Sequence, residues 1–332
     1  MINDVRLAFS ALQNQKPPDG DNLAVLPIGP TSGVFVGIDD QSHQHLLLKS
    51  DASTPPAATD VAALTVTTRN LVIAGAKVQV LDVACLLAAV AEVFDHFVVA
   101  IVERVAVADE TANDAVESVL QRWRQFLVAP SGPPSREKLA AVLGELLVVA
   151  DVVHASAAKG IEFWVGPFGS RHDVRRGGTA IEVKTTRSHS THRVTIHGED
   201  QLLPPEGGVL YLHLVRLEEA HGSGRSVNSL VDELLGAGVS ADKLFEALTA
   251  AGLKVADLTM TAQTTFDVRE RLTLPIDEQT PRIVPASFQG EKRPAGVIDL
   301  SYVIDLGGQL HRALPTTAYE NLVRSIGSGN TA

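Results

Sequence analysis

The chain has 332 residues, of which 45% are hydrophobic, so it can bury a sizeable core and form two domains of ordinary size. Its net charge of −11 excludes a protein that coats nucleic acid through bulk positive charge. A single cysteine excludes an intramolecular disulfide, and we expect a cytoplasmic protein. The N-terminus carries no signal-peptide pattern, and no apolar run approaches the roughly 20 residues of a membrane span, so no membrane association is expected.

The first 130 residues are predicted to form an α+β domain. Short aliphatic runs separated by Gly, Pro, Asp and Ser predict strands over Leu23 to Ile28, Val34 to Ile38 and His45 to Lys49. A loop is predicted over Asp51 to Asp60, and the apolar spacing from Val116 to Leu127 predicts a helix. The Pro- and Gly-rich segment at residues 129–134 marks the domain boundary.

A core helix is predicted to begin after this boundary, with Ser135 as its cap and one apolar stripe from Leu139 to Ala150. Glu145 lies at the edge of that stripe, where its carboxylate could face a site at the rim of the core. Gly144 would let another backbone approach closely. An ordinary solvent-facing glutamate is the alternative for Glu145.

A hairpin follows, since Gly177-Gly178 separates a short strand near His172 to Arg176 from a β-branched strand at Thr179 to Thr186. We predict a core domain over 131–225 and an extension over 226–332. Further strands are expected at Arg193 to Ile196, Val209 to Leu217 and Gly296 to Leu306, and two helices at Ser226 to Leu235 and Ala241 to Ala250.

The hairpin carries the candidate chemistry. Glu182 and Lys184 share one face of their strand, and Asp173 can lie at the level of Glu182 across the turn. Mg²⁺ needs only one or two carboxylates, a backbone carbonyl such as that of Val183, water and a substrate phosphate, and Mn²⁺ could replace it. The predicted reaction is phosphodiester hydrolysis, with Lys184 holding the water or the phosphate. About one acid-x-Lys triplet is expected by chance, so a cross-strand surface ion pair is the alternative.

Together these residues resemble the PD-(D/E)XK motif protein family. The resemblance lies in Gly144-Glu145-Leu146, Phe163 to Pro167, His172-Asp173, Ile181 to Thr186 and Asp200-Gln201-Leu202. It implies a restriction-endonuclease-like core of mixed sheet flanked by helices, within an α+β or α/β class. It also implies metal binding by Asp173 and Glu182, with Glu145 as an additional ligand, catalysis by Lys184, and a place in prokaryotic DNA-modification or phage-defence systems.

One position departs from the family pattern, because His172 stands where the motif has its namesake proline. We expect no loss of activity, since that proline shapes the strand and does not touch metal. Gln201 matches a glutamine that some relatives carry after the metal strands.

Basic residues are concentrated between Arg171 and His197, which holds six of the chain's 28 Lys and Arg residues. A solvated sheet edge is one explanation. The other is contact with DNA, and the candidate residues are Arg171, Arg175, Arg176, Arg187, His189, Arg193 and Gln201.

Other functions have weaker support. The spacing of His189 and His192 suits no zinc site, there is no Gly-x-Ser-x-Gly elbow, and Gly166 to Gly169 lacks the Lys-Ser/Thr of a phosphate-binding loop. An inactive DNA-binding or scaffolding subunit of a defence complex remains the second hypothesis. Expected partners are DNA, ATPase- or methyltransferase-type subunits, and a second copy of the chain, because a double-strand cut requires two sites.

Overall fold

The computed structural model describes residues 1–15, 23–29, 33–50, 63–73, 75–107, 110–126, 132–156, 160–188, 190–220, 222–254, 257–258 and 261–329. The chain divides into two compact units, and the first comprises Met1–Ser131 with Lys254–Thr259. The second comprises Gly132–Leu253 with Met260–Ala332. Both units mix helices with sheets, so the predicted α+β class is confirmed. The predicted loop at Asp51 to Asp60 lies outside the described residues.

The first unit contains a five-stranded antiparallel sheet in the order β1-β2-β3-β5-β4. The core of this unit contains the fully buried side chains of Phe94, Phe97 and Trp123. The Phe94 and Phe97 rings are stacked, and the Trp123 ring meets Phe97 edge to face. The elements are α1 (Ile2–Gln13), β1 (Ala24–Pro27), β2 (Val34–Ile38), β3 (Gln44–Lys49), β4 (Leu64–Ile73), β5 (Ala76–Cys85), α2 (Ala91–Val107) and α3 (Ala112–Trp123).

The second unit contains a four-stranded sheet in the order β10-β9-β7-β6, and β8 and β11 form a separate antiparallel pair. Strands β7 and β9 are parallel, whereas the other neighbours are antiparallel, so the sheet is mixed. The elements are α4 (Arg136–Ser156), β6 (Val174–Arg176), β7 (Thr179–Thr186), β8 (Arg193–His197), β9 (Val209–Ala220), α5 (Val227–Gly236), α6 (Ala241–Ala250), β10 (Thr265–Ile276), β11 (Ser301–Asp305) and α7 (Thr316–Ser328).

Helix α4 is the core helix of the second unit. Ser135 caps it as predicted, since its Oγ accepts a hydrogen bond from the Lys138 backbone N–H at 3.2 Å. Its length and composition would also allow it to cross a membrane, contrary to the expectation that no segment reaches that length. In the most apolar 18-residue stretch of α4, 67% is buried inside the protein, as in an ordinary core helix. The length and composition of α4 are therefore weak evidence for a membrane span.

The predicted strand at Gly296 to Leu306 is only partly correct. Strand β11 covers Ser301–Asp305, and the residues before it are irregular. Gly296 has a φ of +87°, which lies outside the extended range of a strand, and the Ile298 side chain is 94% exposed.

Gly144 allows α4 to lie directly on β7, as its sequence position suggested. A Cβ atom built on Gly144 would lie 2.3 Å from Thr185 Cγ2 and 3.5 Å from Val183 Cγ1. The helix therefore covers the face of β7 that carries Val183 and Thr185. Because side chains alternate along a strand, Glu182 and Lys184 project from the other face.

We expect Gly144→Ala to lower the free energy of unfolding by about 1–3 kcal/mol, because the added methyl group overpacks this contact. Gly236→Ala is the matched control, since Gly236 is also helical and nothing lies within 4 Å of a Cβ there. Urea denaturation of both variants measures the difference. Equal stability of the two variants would contradict the close helix–strand contact.

Candidate metal and catalytic site

The β6–β7 hairpin brings the motif residues together. Arg176 pairs with Thr179 across a two-residue turn, and Gly177 adopts a φ of +58°, which a primed hairpin turn requires. The last paired residues on the open side are Val174 and Ile181. Asp173 therefore lies at the level of Glu182, as the spacing predicted.

Asp173 is bonded to the backbone of β7, and Glu182 is paired with Lys184 on that strand. The Val183 backbone N–H donates to Asp173 Oδ2 at 2.7 Å, and Lys184 Nζ lies 2.9 Å from Glu182 Oε1. Glu182 is 1% exposed, yet its second oxygen, Oε2, has no hydrogen-bond partner among the described residues. One buried carboxylate oxygen is thus left available for a ligand.

Glu145 is on helix α4, which covers the face of β7 opposite to the one that carries Glu182 and Lys184. It is half-buried, and its Oε2 accepts a hydrogen bond from the Trp164 indole N–H at 2.8 Å. Its charge interacts with those of Asp173 and Lys184. It is therefore neither a solvent-facing glutamate nor directly bonded to the other acids.

Burial and mutual repulsion make these acids hard to ionise. Burial, and then the Asp173 charge, raise the pKa of Glu182 to about 8, although Lys184 opposes the change. The same two causes raise the pKa of Glu145 to about 7. Burial also raises the pKa of Asp173, against the lowering effects of the Val183 N–H and Lys184. Lys184 lowers the pKa of all three acids and Lys138 lowers that of Glu145, so a bound cation would further stabilise the ionised forms.

The donor set fits a hard divalent cation that keeps most of its water. Two carboxylates and a backbone carbonyl are sufficient protein ligands for Mg²⁺, and the unpartnered Glu182 Oε2 would supply one carboxylate oxygen. Within the residues that the structure describes, no three His, Cys, Asp or Glu side chains are grouped closely enough to hold one ion. Asp173 and Glu182 are therefore the candidate ligands, whereas Glu145 is not placed with them as a third direct ligand.

Four of the five candidate DNA-binding arginines are exposed. Arg171 and Arg175 are exposed on either side of Asp173. Arg176 donates to the Gly327 carbonyl at 2.9 Å, whereas Arg187 pairs with Glu137 and Arg193 with Asp305 at the surface. His189 lies outside the described residues.

Two further motif positions have structural contacts. His172 is buried, and its Nε2 donates to the Leu203 carbonyl at 3.1 Å, so this residue anchors the strand where the family has proline. Burial, and then Arg171, lower the pKa of His172 to about 4, so it is neutral. Gln201 Oε1 accepts from the His197 backbone N–H at 2.9 Å within a local turn. Neither contact reaches the acids.

Trp164 and Gly166 were not predicted as site residues, but they lie against Glu145 and Asp173 respectively. The feature of the sequence that could have indicated a role for them is their position in an apolar run close to the hairpin. A tryptophan followed two residues later by glycine does not by itself indicate which side chains it will contact.

Comparison with protein-family models gives a match over nearly the whole chain. A family model described as "Putative PD-(D/E)XK family member, (DUF4420)" matches residues 5–307. No curated protein and no solved structure gives a significant match. The match covers nearly the whole chain, including α4 and the β6–β7 hairpin with its Asp173, Glu182 and Lys184. The chain therefore belongs to this PD-(D/E)XK family, and its fold is a restriction-endonuclease-like one.

Proposed function

We propose that the chain is a divalent-metal-dependent nuclease that hydrolyses phosphodiester bonds in DNA, with Mg²⁺ as cofactor and Mn²⁺ able to replace it. One observation carries the proposal: Asp173 lies level with Glu182, which is paired with Lys184, and the buried Glu182 Oε2 has no hydrogen-bond partner among the described residues. Buried like charges disfavour folding, and acids with strongly raised pKa values are concentrated at functional sites.

Each residue has a distinct role in this proposal. Asp173 and Glu182 hold the cation, together with the Val183 backbone carbonyl. When bound, the cation neutralises charge on the phosphate and lowers the pKa of a water molecule. Lys184 is held by Glu182, so its ammonium can orient the attacking water or a phosphate oxygen. Glu145, with a pKa of about 7, can exchange a proton near neutral pH.

DNA is the proposed substrate, and its contacts are local. Arg171 and Arg175 flank Asp173 and are exposed, so they can contact phosphates next to the cut bond. The net charge of −11 disfavours extended binding elsewhere. We place the protein in the cytoplasm, in a restriction or phage-defence system with ATPase- or methyltransferase-type subunits. A double-strand cut would need a homodimer or a second nuclease.

An inactive nuclease-fold subunit is the second candidate. It is favoured by the Glu182–Lys184 ion pair, which already satisfies one carboxylate oxygen, and by the grouping of fewer than three ligand side chains in the described residues. In this case the protein would bind DNA or partners, and Asp173 would have only a structural role at the Val183 N–H.

Cleavage of supercoiled plasmid and phage DNA, modified and unmodified, with Mg²⁺ or Mn²⁺ separates the two candidates. The nuclease hypothesis predicts nicked or linear products that chelation abolishes and that Asp173→Asn no longer forms. Asp40→Asn, at an exposed aspartate of the first unit, should cut like the unchanged protein. The inactive-subunit hypothesis would be supported if Asp173→Asn formed as much product as the unchanged protein. It would also be supported if no variant formed product even with the partner subunits present.

A further inference from the structure

The segment Phe163 to Gly166 is bonded to both sides of the candidate site. The Trp164 indole N–H donates to Glu145 on α4. The backbone N–H groups of Val165 and Gly166 both donate to the Asp173 carbonyl at 2.9 Å, and the Phe163 carbonyl accepts from the Arg175 backbone N–H at 2.7 Å. One short segment thus connects the acid on the helix with the acid at the start of β6.

Gly166 is required here for space. A Cβ atom on Gly166 would lie 2.8 Å from both Asp173 Cα and Asp173 Oδ1, a separation that real Cβ atoms do not show. Gly166 is not among the glycines with positive φ, so other residues could adopt its backbone conformation. Any side chain at this position would therefore displace the Asp173 carboxylate.

Trp164 contributes a hydrogen-bond donor in addition to its volume. It is 1% exposed, and a buried indole N–H normally needs an acceptor, which here is the Glu145 carboxylate. Phenylalanine could fill most of the same space but would leave Glu145 Oε2 without this donor. The hydrogen bond therefore determines where the Glu145 carboxylate points.

We propose that Trp164 and Gly166 are positioning residues of this site: Trp164 orients Glu145 through its indole N–H, and Gly166 lets the Asp173 carboxylate stay level with Glu182. The inference rests on the proposed nuclease function. Neither residue touches substrate in this account, and each acts through the acid it contacts.

Trp164→Phe tests the first half. We expect cleavage at saturating Mn²⁺ to slow by about 10- to 100-fold, as for groups that orient metal-site residues, with little change in the KM for DNA. Trp123→Phe is the matched control, since Trp123 is equally buried but lies in the first unit. Adding Trp164→Phe to Glu145→Gln should cause no further loss. Equal rates for Trp164→Phe and Trp123→Phe, or additive losses in the double variant, would overturn the role of Trp164.

Fluorescence gives a measurement that does not depend on activity. The chain has two tryptophans, so in a Trp123→Phe background all tryptophan emission comes from Trp164. Mn²⁺ should quench this emission saturably, and Asp173→Asn should remove the quenching. Quenching without DNA cleavage would support a metal site beside Trp164 while overturning the nuclease function. Cleavage with no saturable quenching would overturn the placement of Trp164 at the site while leaving the function intact.

Gly166→Ala tests the second half in the same Trp123→Phe background. The apparent Kd for Mn²⁺ should rise at least about tenfold, because the new methyl group displaces a ligand. Gly236→Ala should leave the Kd unchanged, since nothing lies near a Cβ there. An unchanged Kd in Gly166→Ala, with thermal unfolding showing an intact fold, would overturn the role of Gly166.

Discussion

Lys184→Met is expected to slow DNA cleavage by at least about 100-fold at saturating metal, while the protein stays folded. Lys184 lies 2.9 Å from Glu182 and its side chain is 15% exposed, so its charge is only partly screened by water. Methionine keeps the length of the side chain but removes the ammonium that orients water or phosphate. Single-turnover cleavage rates at several Mn²⁺ concentrations separate this effect from weaker metal binding.

Lys243→Met is the matched control for the loss of a paired lysine. Lys243 pairs with Glu162 as Lys184 pairs with Glu182, but its side chain is 53% exposed. An exposed pair of this kind contributes little, so cleavage should be unchanged. If both variants cut DNA at the same rate, Lys184 has no catalytic role.

Glu182→Gln is expected to stabilise the metal-free protein at pH 8 and to abolish its stabilisation by Mg²⁺. Burial raises the pKa of Glu182 to about 8 from the ordinary glutamate value of 4.5, so the folded state binds this proton more tightly than the unfolded chain. Stability of the unchanged protein therefore falls as the pH rises from about 4.5 to about 8. Glutamine does not ionise, so it removes this loss of stability. The variant also loses the ion pair with Lys184, and the net gain in the free energy of unfolding at pH 8 is on the order of 2 kcal/mol.

Thermal and urea unfolding at pH 4.5 and pH 8, with and without Mg²⁺, measure this effect. Glu206→Gln, at an exposed glutamate of the same unit, should leave both the pH dependence and the response to Mg²⁺ unchanged. Destabilisation by Glu182→Gln at pH 8, together with an undiminished response to Mg²⁺, would show that Glu182 is a structural residue only.

The sequence predicted the elements with strong local signals. Strands β2 and β7 and helix α6 have the predicted bounds to within one residue, because alternation, β-branched content or apolar spacing marks each of them. The β6–β7 turn followed from Gly177-Gly178. These signals also placed Asp173 level with Glu182, because register is fixed by the length of a two-residue turn.

Other elements have weak or misleading local patterns. Helix α2 was not predicted because apolar residues lie all round it, so no amphipathic stripe identifies it. Helix α7 was also missed, since only Val323 and Ile326 are buried along its length. The end of α3 was predicted too late: the apolar spacing continues to Phe126, which is buried, but the helix ends at Trp123.

Contacts between distant segments were beyond prediction from one sequence. Nothing local indicates that Arg176 will bond the Gly327 carbonyl or that Trp164 will bond Glu145. The same holds for Arg187 and Arg193, whose ion-pair partners Glu137 and Asp305 lie far away in the sequence. These contacts depend on which elements pack together, and that is set by the tertiary fold.

The most direct test of the account is the position of a bound metal ion, located by anomalous scattering from crystals grown with Mn²⁺. The account predicts one strong peak within coordination distance of the Asp173 and Glu182 carboxylates and the Val183 carbonyl, and its loss in Asp173→Asn crystals. A peak bound by other residues, or none beside Asp173 and Glu182 at saturating Mn²⁺, would contradict it.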